Sequence, residues 1–255
     1  MAKNNHFVSS NDTFSQLDTL LTKQTFGTDD NDADTAINYA RCISMVENVV
    51  AVTSDLCRDT SHIFAGAFAS VLGIGDYSRE DSIWEKEILG LMSAEEQEQK
   101  FISELRFYHF LRHIPRHCRR NYYLVSKLRM QCSSGVTVDV LHRMYYIFDS
   151  KCETVKFAIC LYGPMTFEFA GRSMAIDSLT GLGEELTASS DNTILSRREK
   201  QILALINGGL KSREIADSLC ISQHTVSRHR QEILSKLQVR NSLEACRLAK
   251  SLNLI

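Results

Sequence analysis

Between residues 222 and 240 the chain sets polar and basic side chains at a spacing suited to reading nucleic acid. Val226, Ile233 and Leu237 recur at i, i+7 and i+11, one face of a helix. His224, Ser227, Arg228, Gln231 and Ser235 then fall on the opposite side. An arginine guanidinium donates two parallel bonds to a guanine edge, and a glutamine amide bonds an adenine edge in the same paired way. Ser227, Arg228 and Gln231 are therefore the candidate base-reading residues. Ser222 and Thr225 stand at the helix start, where backbone N–H groups and the helix dipole favour a phosphate. His224, Lys211, Arg230, Lys236 and Arg240 cluster around them and complete the candidate phosphate contacts.

Elements with legible ends must hold these residues. Ser196 precedes an apolar stripe of Ile202, Leu203, Leu205 and Ile206, and Glu199 stands three residues on, the pattern of a capping box. Asn207-Gly208-Gly209 stops that helix. Ser212 is expected to cap a second helix that buries Ile215, Ala216 and Leu219. After a turn at Cys220-Ile221, Ser222 caps the third, expected to run to about residue 238. Two short helices joined by a tight turn, the second presenting polar residues outward, match the geometry that docks in a DNA major groove.

The motifs Leu195-Ser196-x-Arg198-Glu199, Glu214-Ile215-Ala216-x-x-Leu219, Ile221-Ser222-x-x-Thr225-Val226-x-x-His229 and Lys236-Leu237-x-Val239 resemble the LuxR-type DNA-binding domain, at the family spacing across about 60 residues. The resemblance implies an all-α domain of four helices over residues 195–255. The fourth helix, from Ser242 to Leu252, would help pair two domains on a two-fold DNA site. Glu232, where the family often has Asn, and Asn241-Ser242 after Arg240 depart from its pattern.

Upstream the periodicity is mixed. Residues 1–34, rich in Asn, Asp, Thr and Ser, read as a mobile lead-in within which Phe14, Leu17, Leu20 and Leu21 allow a short helix. A helix is expected over 33–50, short strands near 49–53 and 62–64, and a short helix ending at Gly73-Ile74-Gly75. A longer helix begins at Ser93, with Glu96 completing a capping box, and stops at Pro115. Residues 123–132, 136–148 and 155–162 alternate and are joined by short turns, an antiparallel meander. This order of elements resembles a PAS domain over residues 35–165, giving an α+β fold with helices on an antiparallel sheet. Residues 166–194, with Gly and Ser, are read as a linker. The meander argues against a phosphoacceptor receiver. Trp84, the single tryptophan, argues against an acyl-homoserine-lactone pocket.

The net charge of −2 hides an asymmetry: residues 195–255 carry eleven Lys and Arg against five Asp and Glu, so the basic module sits on an acidic body. The eight cysteines include no Cys-x-x-Cys pair, and neither a membrane-length apolar run nor a secretory leader is visible. His109 and His113 have the i, i+4 spacing of metal ligands, but no acidic residue lies close in sequence, and Arg112, Arg116, Arg119 and Arg120 mark an exposed basic helix end that suits DNA or an anionic ligand. Together these imply a cytoplasmic, non-enzymatic transcription regulator. Its partners would be double-stranded DNA, a second copy of the chain as homodimer, and RNA polymerase, with no membrane. No cofactor and no metal are expected, and the N-terminal domain is left room for an unidentified small ligand. The competing expectation is the same DNA-binding tail on an enzymatic or purely protein-interaction domain.

Overall fold

The computed structural model describes residues 7–26, 31–75, 77–132, 134–149, 154–187, 195–237, 239–251 and 254–255. Two helices lead, α1 (Phe7–Thr22) and α2 (Asn31–Val46), before a hairpin of β1 (Val50–Asp55) and β2 (Thr60–Ala65). The Asp55 carboxylate accepts the backbone N–H groups of Cys57 and Arg58, both at 3.0 Å, and closes the hairpin as an Asx turn. Next come α3 (Phe68–Leu72), β3 (Arg79–Glu80), α4 (Lys86–Gly90) and the long α5 (Ala94–His113). The Ser93 hydroxyl accepts the Glu96 N–H at 3.2 Å, as a cap should. The other half of the expected box is absent. The Glu96 carboxylate turns instead to the Arg129 N–H at 3.0 Å and the Arg172 guanidinium, tying α5 to the sheet. Ile114, before Pro115, is extended (ψ 138°), since the proline ring disfavours helix there.

The meander follows as β4 (Tyr122–Gln131), β5 (Thr137–Phe148) and β6 (Val155–Pro164), then β7 (Ser173–Asp177) and β8 (Gly183–Glu185). Among the described residues the sheet runs β3-β2-β1-β6-β5-β4-β7-β8, antiparallel throughout the pairings described, so the first hairpin lies beside the last strand of the meander. Strands β7 and β8 fall within the stretch expected to be a linker. Their Gly and Ser content marks turns at the sheet edge, Gly181 (φ 73°) among them. Residues 188–194 of that stretch lie outside the described residues.

Both faces of the sheet are covered. Val50, Val52, Leu124, Leu128, Met144, Tyr146, Cys160 and Tyr162 share a buried cluster with α5 and with Leu17, Leu20 and Leu21 of α1. Ala51, Phe157, Ile159 and Leu161 face the other way, onto Ala36 and Ala40 of α2. Strand β6, buried on both sides from Val155 to Gly163, accordingly runs apolar without alternation from Phe157 to Tyr162. Gly66 lies so close to the Ser44 and Val49 carbonyls that a Cβ there would sit 2.3–2.4 Å from them.

Helices α6 (Arg197–Asn207), α7 (Ser212–Leu219), α8 (Gln223–Leu237) and α9 (Ser242–Ser251) complete the chain. Leu195, Ile202, Leu203, Ile215, Ala216, Val226, Ile233, Leu237, Ala245 and Leu248 form their buried contact. The lead-in is not free of this module: α1 packs on both α5 and α9, and Gln16 Nε2 donates to the Leu237 carbonyl at 3.5 Å.

Candidate nucleic-acid interface

Three local devices orient α8. At the start of α6 the capping box is complete: Glu199 N–H donates to Ser196 Oγ at 3.3 Å, and Ser196 N–H donates to Glu199 Oε2 at 2.6 Å. Burial alone would raise the Glu199 pKa, but hydrogen bonds from Lys236 (Nζ to Oε2 2.7 Å) and Ser196 outweigh it and hold the carboxyl below its usual value. The turn between α7 and α8 is made by Cys220, left-handed at φ 52°, ψ 45°, whose N–H reaches back to α7 carbonyls. Arg198 Nη2 donates to the Leu219 carbonyl at 2.9 Å, fixing the end of α7 against α6.

The second helix is capped differently from expectation. Lys211, not Ser212, is the N-cap residue, its N–H donating to Glu214 Oε2 at 2.6 Å, while Ser212 is the first helical residue and its hydroxyl accepts Arg230 Nη1 at 2.8 Å. Ser222 does cap α8, accepting the Thr225 N–H at 3.0 Å, and its hydroxyl lies 2.8 Å from Thr225 Oγ1.

Val226, Ile233 and Leu237 are buried as their spacing predicts, which leaves Ser227, Arg228 and Gln231 exposed on the outer face of α8. Arg228 Nε lies 3.3 Å from Glu232 Oε1, an exposed i, i+4 pair that costs little to break. Ser222 and His224 are exposed and Thr225 half-buried at the N-terminal end of α8, and Lys211 and Arg240 are exposed beyond it. Two other expected phosphate contacts are committed within the fold. Arg230 spans from Ser212 to Ser242 Oγ (3.0 Å), locking α7, α8 and α9 together, and Lys236 is bonded to Glu199. Spacing on one helix identifies a face, but not which cations the neighbouring helices have already engaged.

Glu199, His229 and Glu232 bring one ligand atom each within 4.8 Å of one another. Glu199 already accepts Ser196 and Lys236, which joins α6 to α8, and His229 Nδ1 lies 3.1 Å from Glu232 Oε2 within α8, so the three already have partners. The histidine pair on α5 is split. His109 is buried with both ring nitrogens unpartnered, and His113 is exposed. Burial, with the positive charge of His113 and Arg112 nearby, pushes His109 down to about 4. The sequence reading missed a buried charged group, Glu85, Lys100 and Glu104; the one available signal was an α5 with apolar residues on every side, which leaves no exposed face for an Lys/Glu pair.

Residues 193–249 match the family model described as bacterial regulatory proteins, luxR family, and this C-terminal module is a LuxR-type helix-turn-helix domain. Over 69 residues the chain is 44% identical to the fimbriae Z protein of Escherichia coli (strain K12), covering 27% of this chain and 33% of that protein. Over 70 residues it is 40% identical to the virulence-factor transcription regulator BvgA of Bordetella pertussis (strain Tohama I), covering 26% and 34%. The chain thus spans about a third of the length of these relatives. A solved structure of a phage VqmA–DPO complex is similar at 14% identity and a TM-score of 0.35, over 87% of this chain and 89% of that one.

Proposed function

We propose that this chain is a sequence-specific DNA-binding transcription regulator whose C-terminal module reads the major groove and whose N-terminal domain is sensory. The observation that carries the reading is α8 itself. It is capped by Ser222, anchored by Val226, Ile233 and Leu237, and it leaves Ser227, Arg228 and Gln231 outward in a domain of LuxR type. In this reading those three meet base edges, and Ser222, Thr225, His224, Lys211 and Arg240 meet phosphates. Arg230 and Lys236 hold the helices in place. The relatives matched over about 70 residues carry the names of a fimbriae protein and a transcription regulator, in keeping with regulation as the output.

The N-terminal domain is read as PAS-like. Support comes from the strand order β2-β1-β6-β5-β4, with β3, β7 and β8 as additions at the edges and α5 across one face. The rest of the reading follows: a cytoplasmic protein without enzymatic activity, residues 195–255 as a four-helix unit acting as a homodimer on DNA, and RNA polymerase as a further partner. No helix among the described residues is long and apolar enough to cross a membrane. The deciding experiment is selection of binding sites from a random double-stranded DNA pool with the full chain and with Arg228→Ala. A symmetric pair of half-sites, degraded at one base position per half-site by the substitution, supports the reading. No enrichment above the starting pool refutes it.

A further inference from the structure

Where α5 ends, a cleft of about 160 Å³ opens on the N-terminal domain. Arg112 stands on the last turn of α5, and Arg116 and Arg119 on the short 3-10 helix that follows, Arg116–Asn121, so three guanidiniums line one cleft. Arg119 is steadied by carbonyls at the end of α5. Its Nε donates to Ile114 O at 3.2 Å and its Nη2 to Arg112 O at 3.5 Å. Arg112 and Arg119 both lie close enough to the buried Tyr108 hydroxyl to oppose the rise that burial causes in its pKa. Burial wins, so the hydroxyl keeps its proton and can donate it in a hydrogen bond. The remaining lining is partly apolar, with Leu111 and Val155 buried and Phe148 half-buried. Gln24, just after α1, joins the lining through the start of β6. Its Oε1 accepts the Val155 N–H at 3.0 Å, and its Nε2 donates to the Leu21 carbonyl at 2.9 Å.

The charge of these segments is one-sided. Residues 105–138 hold seven Lys and Arg and no Asp or Glu, in a chain whose net charge is −2. Between the lining residues Phe148 and Thr154 the sequence adds Asp149 and Glu153 but also Lys151. With the three arginines, four cations thus stand against two carboxylates even when all are counted. We infer that this cleft binds a small organic oxyanion, a carboxylate or phosphate monoester carried on an apolar body about the size of one aromatic ring. Planar guanidiniums bind both kinds of head group through paired N–H bonds. A cavity of ~150 Å³ admits one benzene ring, so the volume suits such a body. A DNA backbone fits less well, because a phosphodiester offers nothing apolar to Leu111, Phe148 and Val155. As a regulatory site the cleft rests on the sensory reading of the N-terminal domain, and it adds the charge of what is sensed. The route of coupling is α1, which ends beside Gln24 and packs against α9 of the C-terminal module.

The test is isothermal titration calorimetry of the full chain with sodium benzoate, phenyl phosphate and benzyl alcohol, a neutral probe of similar size, at constant ionic strength. The expected result is saturable one-to-one binding of at least one anion, at least tenfold tighter than benzyl alcohol; the tighter anion identifies the head group. Arg112→Gln and Arg116→Gln, both at exposed positions, should each weaken it at least fivefold. Arg116→Lys keeps the charge but loses the planar fork, and should restore only part of the affinity. Arg120→Gln, on the same 3-10 helix but outside the cleft lining, should leave binding unchanged. No binding of either anion, equal affinity for benzyl alcohol, or an equal loss from Arg120→Gln overturns the proposal. Arg116→Gln that lowers the slope of log DNA affinity against log salt by about 1, in a chain that binds neither anion, also overturns it and makes the cluster a DNA phosphate contact. Anion binding that leaves affinity for the selected DNA site unchanged upholds the cleft and refutes the sensory reading.

Discussion

In the proposed reading a carboxylate competes with the groove at Arg228. Glu232 holds the guanidinium from one turn further along α8, yet both side chains are exposed and the pair is weak. A guanine edge that takes two bonds from the same guanidinium replaces it with gain. Arg228→Ala should therefore lose about 1–3 kcal/mol on the selected site and relax preference at one base position, measured by competition binding with single-base variants. The cations around the helix separate by what already holds them. Lys211→Ala and Arg240→Ala should each lower the slope of log affinity against log salt by about 1, as the loss of one phosphate contact does. Lys236→Ala should leave that slope unchanged and reduce stability instead, because its ammonium is spent on Glu199. A slope change at Lys236 equal to that at Lys211 would contradict the division. Cys220 is a non-glycine residue at φ 52° in the turn that aims α8. Cys220→Gly removes a steric cost there, though it also frees the unfolded chain, so the expected gain is no more than about 1 kcal/mol in denaturant unfolding.

For single elements the caps and the buried polar groups decide the outcome. Ser196→Ala breaks one arm of the α6 box and should cost about 1 kcal/mol. On α5 the consequence is pH-dependent. Burial, then His113 and Arg112, lower the His109 pKa from 6.5 to about 4. The folded protein thus binds fewer protons than the unfolded chain between those values, so its stability is present above about pH 6.5 and is lost as pH falls towards 4. The loss assignable to His109 is on the order of 3 kcal/mol. Glu85, raised by burial, titrates with the opposite sign, so the check is a difference: His109→Leu should flatten the fall in urea midpoint between pH 7 and pH 4 relative to the parent protein. Parallel curves for the two proteins would show that His109 does not contribute.

Across the whole molecule, α1 and α9 join the N-terminal sheet domain to the C-terminal helices. Helix α1 touches the N-terminal core through Leu17, Leu20 and Leu21 and the C-terminal module through α9. A cleft between these helices is lined by Gln16, Thr19 and Lys23 on one side and Arg240, Glu244 and Arg247 on the other. Leu243, on α9, is 63% exposed. If pairing on DNA uses this helix, Leu243→Glu should leave affinity for a single half-site intact and abolish the added affinity for two correctly spaced half-sites, by gel shift on both probes. Loss on the single half-site as well would locate the defect in folding instead.

Local information sufficed wherever a residue's role is set by neighbours a few positions away. Ser196, Ser222 and the Val226-Ile233-Leu237 stripe were all legible, because helix caps and period are short-range devices. The outward placement of Ser227, Arg228 and Gln231 follows directly from that stripe. Tertiary packing alone decided which charges are free. It engaged Arg230 with Ser212 and Ser242 and Lys236 with Glu199, drew Glu96 from its cap to Arg129 and Arg172, added β7 and β8 to the sheet edge, and buried Glu85, Lys100 and Glu104 under the sheet. The physical reason is the same in each case. A long charged side chain reaches several ångströms beyond its own element, and its partner comes from a segment whose position only the folded chain defines.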